Sequence, residues 1–421
     1  MYENQQEKRE RVILFAVTGG DEAACAASLR ELAALTETAG GEVTASLMQN
    51  RDYPDPGTYL GKGKIEELRE MLTLLEADTA ICDDELSPAQ IRNLEAALSC
   101  KVCDRTLLIL DIFAARARTS EGKIQVELAQ LRYRQAHLAG LGTSLSRLGG
   151  GIGTRGPGEK KLEIDRRRIA ERIGALKQEL GEVRRHREVI RAGRGKNGQL
   201  TAAIVGYTNA GKSTLLNVLT DAGVLEEDAL FATLDPTTRR LDLPGGAGIL
   251  LTDTVGFIRK LPHQLIDAFR STLEETTLAD ILIHVVDASN PQAEQQMEVV
   301  YQTLESLHAG QKPVLTVFNK QDRTDGLVFL HDRHARREVK TSLKHRGGVD
   351  QLLSALEEMT LEQQIYIERL LPYAEAGLLA KIRQTGRLEA EEYEPEGVRI
   401  RAYVPRELYG RLLQAAGSPE P

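Results

Sequence analysis

Tryptophan is absent from the 421 residues, and aromatic side chains of all kinds make up only 4%. Cysteine is almost as scarce, with four residues. Four thiols cannot staple a chain of this length, so a disulfide scaffold is excluded and a reducing cytoplasm is the expected setting. Cys100 and Cys103 form a lone C-x-x-C without the second pair a zinc site needs, and they read as structural. The histidines are scattered without metal-ligand spacing, and His284, inside the apolar run Ile281 to Val286, reads as a core residue. No apolar run approaches the ~20 residues of a membrane helix. Val12 to Val17, the first such run, is shorter than a secretory core and follows an acid-containing leader, so it reads as a strand and not as a signal peptide. Net positive charge is lacking too. The formal charge of -8 argues against a generally basic nucleic-acid binder.

What is present is a soluble, globular composition, 41% apolar and 28% charged, too long for one core and therefore expected to form two to four domains. The charge is uneven. Residues 119–198 hold 18 Lys/Arg against 9 Asp/Glu, a local +9, which leaves -17 for the rest and suggests a basic arm on an acidic body.

Four regions emerge, and the fold class is α/β. Residues 1–118 read as a small α/β domain with strands at Val12–Val17, Thr79–Cys82 and Lys101–Cys103. Helices are expected at Asp21–Ala39, Ile65–Leu75 and Pro88–Leu98, and the alternation predicts a parallel sheet. In 119–198, Ile124, Leu128, Leu131 and Leu138, then Ile169, Ile173, Leu176, Leu180, Val183 and Ile190, follow coiled-coil spacing. They predict an antiparallel helical hairpin whose tip, residues 139–160, has 8 glycines in 22 positions. Residues 199–360 show the strand–loop–helix rhythm of a doubly wound domain. Residues 361–421 form a small α+β domain with a helix near 374–384 and a strand near 398–404. The stretch Gly193–Gly198 reads as a linker.

The strongest motif is Gly206-Tyr207-Thr208-Asn209-Ala210-Gly211-Lys212-Ser213, a G-x-x-x-x-G-K-[ST] loop between the apolar run Ala202–Val205 and a helix beginning at Thr214. Its glycines let backbone N–H groups face phosphate oxygens, and the helix N-terminus adds a favourable dipole. Lys212 is expected to hold the β- and γ-phosphates and Ser213 to ligate Mg²⁺. Farther on, Ile249–Leu251 leads into Asp253-Thr254-Val255-Gly256, where the aspartate steadies Mg²⁺ and the glycine N–H meets the γ-phosphate. Val314–Phe318 leads into Asn319-Lys320-Gln321-Asp322, an N-K-x-D set. Its aspartate accepts from the N1–H and 2-amino groups of guanine. Adenine offers neither, and such a mismatch is worth selectivities of about 10⁴ or more. Thr341-Ser342-Leu343-Lys344 stands where a third guanine-contacting turn belongs, with leucine in place of the usual alanine. Between the first two motifs, Phe231-Ala232-Thr233-Leu234-Asp235-Pro236-Thr237-Thr238 should supply a threonine that binds Mg²⁺ only while the γ-phosphate is present. On chemistry alone Thr233, Thr237 and Thr238 compete for that role. GTP is thus the expected substrate.

These motifs resemble the HflX family of translational GTPases over nearly the whole chain. The resemblance includes F-A-T-L-D-P-T, G-Y-T-N-A-G-K-S-T, D-T-V-G-F-I and N-K-Q-D, the glycine-rich S-R-L-G-G-G-I-G-T-R-G-P-G-E, and Y-L-G-K-G-K in the first domain. It implies that Thr233 is the switch threonine and that Lys212, Thr233 and Gly256 form the catalytic set. It also implies a GTPase bound to the large ribosomal subunit through ribosomal RNA, with the arm reaching toward the peptidyl transferase centre; the chain is further expected to be cytoplasmic, from its few cysteines, and monomeric. The activity implied is splitting or recycling stalled ribosomes under stress. Lys160-Lys161 departs from the threonine and polar residue of many members.

Two residues bear on mechanism. Phe257 stands where many GTPases place a water-orienting glutamine, so activation must come from another residue, a repositioned loop or the ribosome. Asn209 occupies the position that similar potassium-dependent GTPases use to hold K⁺; its other reading is a loop-stabilising side chain. The Gly57–Lys64 stretch reads as a loop and first helical turn; the functional alternatives are a second phosphate site, since the resemblance links the family to adenine nucleotides and RNA unwinding, and RNA contact through Lys62 or Lys64. Two rival functions are a ribosome-assembly or RNA-remodelling GTPase and a nucleotide-gated protein-binding regulator. A protein-binding arm usually offers Trp or Tyr anchors, and a basic, glycine-rich arm counts against the latter.

Overall fold

The computed structural model describes residues 9–139, 157–195, 199–220, 223, 230–231, 234–260, 270–324 and 329–415. The chain forms two compact units, one built from Met1–Glu182 and Arg259–Phe269, the other from Val183–Ile258 and Arg270–Pro421.

The first unit begins with alternating strands and helices: β1 (Arg11–Thr18), α1 (Glu22–Thr38), β2 (Glu42–Asn50), α2 (Lys62–Leu74), β3 (Thr79–Cys82), α3 (Pro88–Leu98) and β4 (Lys101–Asp104). The strands pair in parallel in the order β2-β1-β3-β4. Helix starts follow local chemistry. Asp21 accepts from the Ala24 N–H at 2.9 Å. Ser87 and Gln90 form a reciprocal capping box ahead of Pro88, so α3 begins at the expected residue. The strand β2 was not foreseen, because only Leu47 of its nine residues is buried and an edge strand carries little hydrophobic pattern. Tyr59 and Leu60 of the Y-L-G-K-G-K stretch are fully buried, and Lys62 opens α2 behind Gly61.

Helix α4 (Arg105–Arg116), capped by Asp104, leads to α5 (Ser120–Ala139) and α6 (Pro157–Gly195). Leu128, Ile173, Leu176 and Leu180 form one buried cluster with Ile124, Leu131 and Ile169 against it, which joins the two helices along the expected seam. Arg172 clasps Glu127 across it with bonds of 2.7 and 2.9 Å. Residues 157–160 of the expected tip are helical; Arg147, Arg155 and the rest of 140–156 lie outside the described residues. At the ends of β1 and β3, the Arg105 guanidinium donates to Asp83 at 2.8 Å and to the Arg259 carbonyl at 3.2 Å. The Lys260 ammonium meets Asp83 at 2.6 Å and Asp84 at 2.5 Å. Arg105 and Asp83 are buried, and charges so placed persist only when paired.

The second unit carries β5 (Thr201–Gly206), α7 (Lys212–Thr220), β6 (Thr237–Asp242), β7 (Gly248–Asp253), α8 (Arg270–Leu278), β8 (Ile281–Asp287), α9 (Ala293–Ser306), β9 (Val314–Asn319), β10 (Arg337–Lys340) and α10 (Val349–Glu362). Its sheet runs β10-β9-β8-β5-β7-β6, parallel except for β6, which pairs antiparallel with β7. The order reverses beside β5, and open α/β sheets bind ligands at that point, beyond the strands' carboxyl ends. Ile204, Ile249, Leu251, Ile283 and Val317 lie in one buried core. The chain closes with β11 (Ile365–Pro372), α11 (Ala376–Thr385), β12 (Arg387–Glu394), β13 (Gly397–Val404) and α12 (Arg406–Ala415). These strands form an antiparallel sheet, β11-β13-β12, over a core that includes Ile382, Ile400 and Val404. Among the described residues no helix is long and apolar enough to cross a membrane.

Candidate nucleotide site

The glycine-rich loop leaves the end of β5, and Lys212 is already the first residue of α7. Left-handed backbone shapes the loop, with φ of +61° at Asn209 and +105° at Gly211. A Cβ at Gly211 would stand 2.4 Å from Asn319 Nδ2, so glycine is required there on two counts. The loop is tied to the D-T-V-G segment by two backbone bonds. The Thr208 N–H donates to the Phe257 carbonyl at 2.8 Å and the Phe257 N–H donates to Gly206 at 3.1 Å.

Those bonds bring the candidate phosphate-binding groups together. The Lys212 ammonium donates to the Tyr207 carbonyl at 2.8 Å. Burial pushes its pKa down to about 8, against the opposing pull of Asp253. The Ser213 hydroxyl donates to Asp253 Oδ2 at 2.7 Å. Asp253 is fully buried at the end of β7, and Thr254 anchors the turn by donating to the Ile204 carbonyl at 2.7 Å. Gly256 abuts the loop closely: a Cβ there would come within 2.9 Å of Thr208 Cα and of Lys212 Nζ. Val255 and Phe257 are buried, so Phe257 presents no polar atom and little surface to a ligand.

The N-K-x-D set packs against the same loop. Asn319 is buried; its Nδ2 donates to the Ala210 carbonyl at 3.0 Å and its Oδ1 accepts from the Leu343 N–H at 3.1 Å. Lys320 donates to the Asn209 carbonyl at 2.9 Å and pairs with Asp287 at 2.8 Å. Asp322 is exposed, and the Ser342 hydroxyl donates to it at 2.5 Å, which holds its carboxyl below the usual range. Gln321 donates through its backbone to Thr341 at 3.2 Å, while Leu343 is buried and Lys344 exposed. Sequence reading missed the bridging role of Asn319 and the Asp287 anchor. An aspartate at the end of the buried strand β8 was the available signal for the latter.

Of the intervening stretch, Phe231 and Leu234 are buried and Asp235 is half-buried. Ala232 and Thr233 lie outside the described residues. The two competing threonines sit in β6, and Thr238 shares a hydrogen bond of 2.9 Å with Thr252. The Asn209 side chain is exposed on the loop. His284 is buried, edge-on to Tyr301, with Nδ1 3.5 Å from Asp332.

The arrangement is that of a P-loop packed against the N-K-x-D segment, and the chain is similar to the following known proteins. Family models described as the GTP-binding GTPase N-terminal region, the GTP-binding GTPase middle region and a 50S ribosome-binding GTPase match residues 26–114, 116–194 and 201–320. The GTPase HflX of Lacrimispora saccharolytica is 60% identical over 98% of this chain and 97% of its own. That of Escherichia coli is 43% identical over 88% and 87%. A solved GTP-binding protein from Sulfolobus solfataricus, in complex with GDP, is 24% identical over 83% of this chain and 98% of that one, with a TM-score of 0.43. Sequence motifs, fold and near-full-length identity lead to one conclusion: the chain is a GTP-hydrolysing enzyme and belongs to the HflX family of GTPases.

Proposed function

We propose that this GTPase acts on the large ribosomal subunit, using GTP binding to engage and hydrolysis to leave, and that it splits or recycles stalled ribosomes under stress. The basic helical arm carries the proposal, since a local +9 on an otherwise acidic chain suits ribosomal RNA. The description of the family model over residues 201–320 and the names of the relatives support the same reading. In the arm, Arg166, Arg167 and Arg168 are exposed, where their charge steers docking.

In this reading the loop Gly206–Thr214 cradles the phosphates. Lys212 pairs with the β- and γ-phosphates, and the Gly256 N–H donates to the γ-phosphate. Asn319 to Asp322 and Ser342 to Lys344 hold guanine, with Asp322 turning from Ser342 toward the base. Phe231, Leu234 and Asp235 contribute to the nucleotide site. Ser213 Oγ and Asp253 converge as hard oxygen donors and suit Mg²⁺, with Thr233 as the added ligand in the GTP state. When bound, Mg²⁺ neutralises charge on the β- and γ-oxygens. Asn209 either holds K⁺ beside the phosphates or stabilises the loop; replacing K⁺ by Na⁺ lowers the rate only in the first case, and Asn209→Ala then removes the difference. With Phe257 buried, the water-orienting group comes from elsewhere, and hydrolysis by the free protein is slow.

Co-sedimentation with large subunits tests the proposal. Binding should appear with a non-hydrolysable GTP analogue and weaken with GDP. Equal binding in both states, or none, refutes it.

A further inference from the structure

Thr208 holds the third position of the glycine-rich loop. It is buried, and its hydroxyl has no hydrogen-bond partner among the described residues. An orphaned buried hydroxyl is destabilising, so a native site that keeps one calls for an explanation. A valine or alanine would fill the place without that penalty.

Its surroundings supply one. Thr208 Cγ2 lies 2.8 Å, and Lys212 Nζ 2.9 Å, from the point where a Gly256 Cβ would stand. The Thr208 methyl, the Lys212 ammonium and Gly256 therefore crowd one spot, which the reading above makes the γ-phosphate end of the site; the orphaned hydroxyl stands on the same Cβ as that methyl, one χ1 rotation from the spot. Two of them are γ-phosphate donors in the reading above, Lys212 through its ammonium and Gly256 through its N–H. The Thr208 backbone is fixed by its 2.8 Å bond to the Phe257 carbonyl, so the side chain is delivered to this spot by a clamped main chain. Phe257, in the position that often carries a hydrogen-bonding side chain, is 2% exposed and offers none.

We infer that the Thr208 hydroxyl is a catalytic group that donates a hydrogen bond to a γ-phosphoryl oxygen of GTP. This rests on the reading of the site as a GTP site. The hydroxyl transfers no proton. The attacking water's oxygen bonds to the γ-phosphorus, the bond from that phosphorus to the β–γ bridging oxygen breaks, and the electron pair leaves with GDP. The water's proton ends on the released phosphate. Throughout, Thr208 stabilises negative charge on the transferring group as a preorganised, dehydrated donor. GDP lacks the acceptor, so the same bond favours GTP over GDP and marks the nucleotide state.

The test uses the full chain with Thr208→Val, which keeps the β-branched shape, and Thr208→Ser, which keeps the hydroxyl. Removing one such donor typically slows catalysis about 10²-fold or more. Single-turnover GTP hydrolysis by Thr208→Val should fall at least about tenfold, and the ratio of its affinities for a non-hydrolysable GTP analogue and GDP should fall with it. Thr208→Ser should stay within about threefold of the parent on both measures. Parental behaviour of Thr208→Val, or equal losses in the two variants, overturns the inference. Failure of the underlying site reading shows itself separately: the unsubstituted chain would then not bind fluorescent GDP at all, and both readings fall together.

Discussion

Raising the pH through the Lys212 titration should weaken nucleotide binding while strengthening the empty protein. Burial brings this lysine to about 8 in the unliganded site. Phosphate oxygens require the ammonium and hold it charged once bound. Binding above pH 8 must therefore take up a proton, and the dissociation constant rises about tenfold per unit. Between pH 7 and pH 9 this amounts to about tenfold, or ~1.4 kcal/mol. Stability runs the opposite way. Unfolded lysine titrates near 10.4, so between pH 8 and that value the folded state binds fewer protons than the unfolded one. The unliganded protein then gains stability as pH rises, by up to about 3 kcal/mol. Below pH 8 both states are protonated and the destabilisation is present in full. The assay is a fluorescent-GDP titration at fixed Mg²⁺ and K⁺ from pH 7 to 9, paired with denaturant unfolding of the nucleotide-free protein. Lys212→Arg provides the comparison, because a guanidinium stays charged throughout and every other titration is shared. Parallel affinity profiles for parent and variant would refute the reasoning.

Three further outcomes are expected. Asp322→Asn should weaken GTP binding strongly and improve xanthosine triphosphate, whose C2 carbonyl accepts from the new amide; competition binding checks this, and ATP matching GTP would contradict it. Asn319→Ala strands the buried Ala210 carbonyl and Leu343 N–H, which should cost about 2–5 kcal/mol and lower the melting temperature by about 5–15 °C, with a loss of GDP affinity. Replacing Arg147 and Arg155 together by alanine should leave GTP affinity unchanged, lower affinity for the large subunit, and flatten its salt dependence by up to about two phosphate contacts, as read by sedimentation across a salt series.

The parts of the molecule legible in the sequence are those where chemistry and local structure share the same few residues. The loop from Gly206 to Ser213 needs a strand before it and a helix after it, and β5 and α7 stand there. The seam of α5 and α6 was visible because Leu128, Ile173, Leu176 and Leu180 repeat at helical spacing and bury one another. Other elements take their form from partners far along the chain. Strand β2 buries only Leu47, and β12, R-L-E-A-E-E-Y-E, buries no residue fully; each is a strand because β1 or β13 supplies the ladder. Helix α4 also went unforeseen, although Asp104 caps it, because its apolar residues run nearly unbroken. At the site the motifs named the residues but not their connections. Asn319 reaches Ala210, 109 positions away, and no spacing rule encodes that bond. The orphaned hydroxyl of Thr208 was equally invisible, since its meaning depends on which atoms surround it.

The central claim is that the large ribosomal subunit is the partner that turns this slow GTPase into a fast one. Single-turnover GTP hydrolysis, measured with and without purified large subunits at the same Mg²⁺ and K⁺, tests it most directly. Without a water-orienting side chain at Phe257 the free chain should be slow, on the order of 10⁻⁴ s⁻¹, and large subunits should raise the rate markedly. Equal rates with and without subunits would contradict the account.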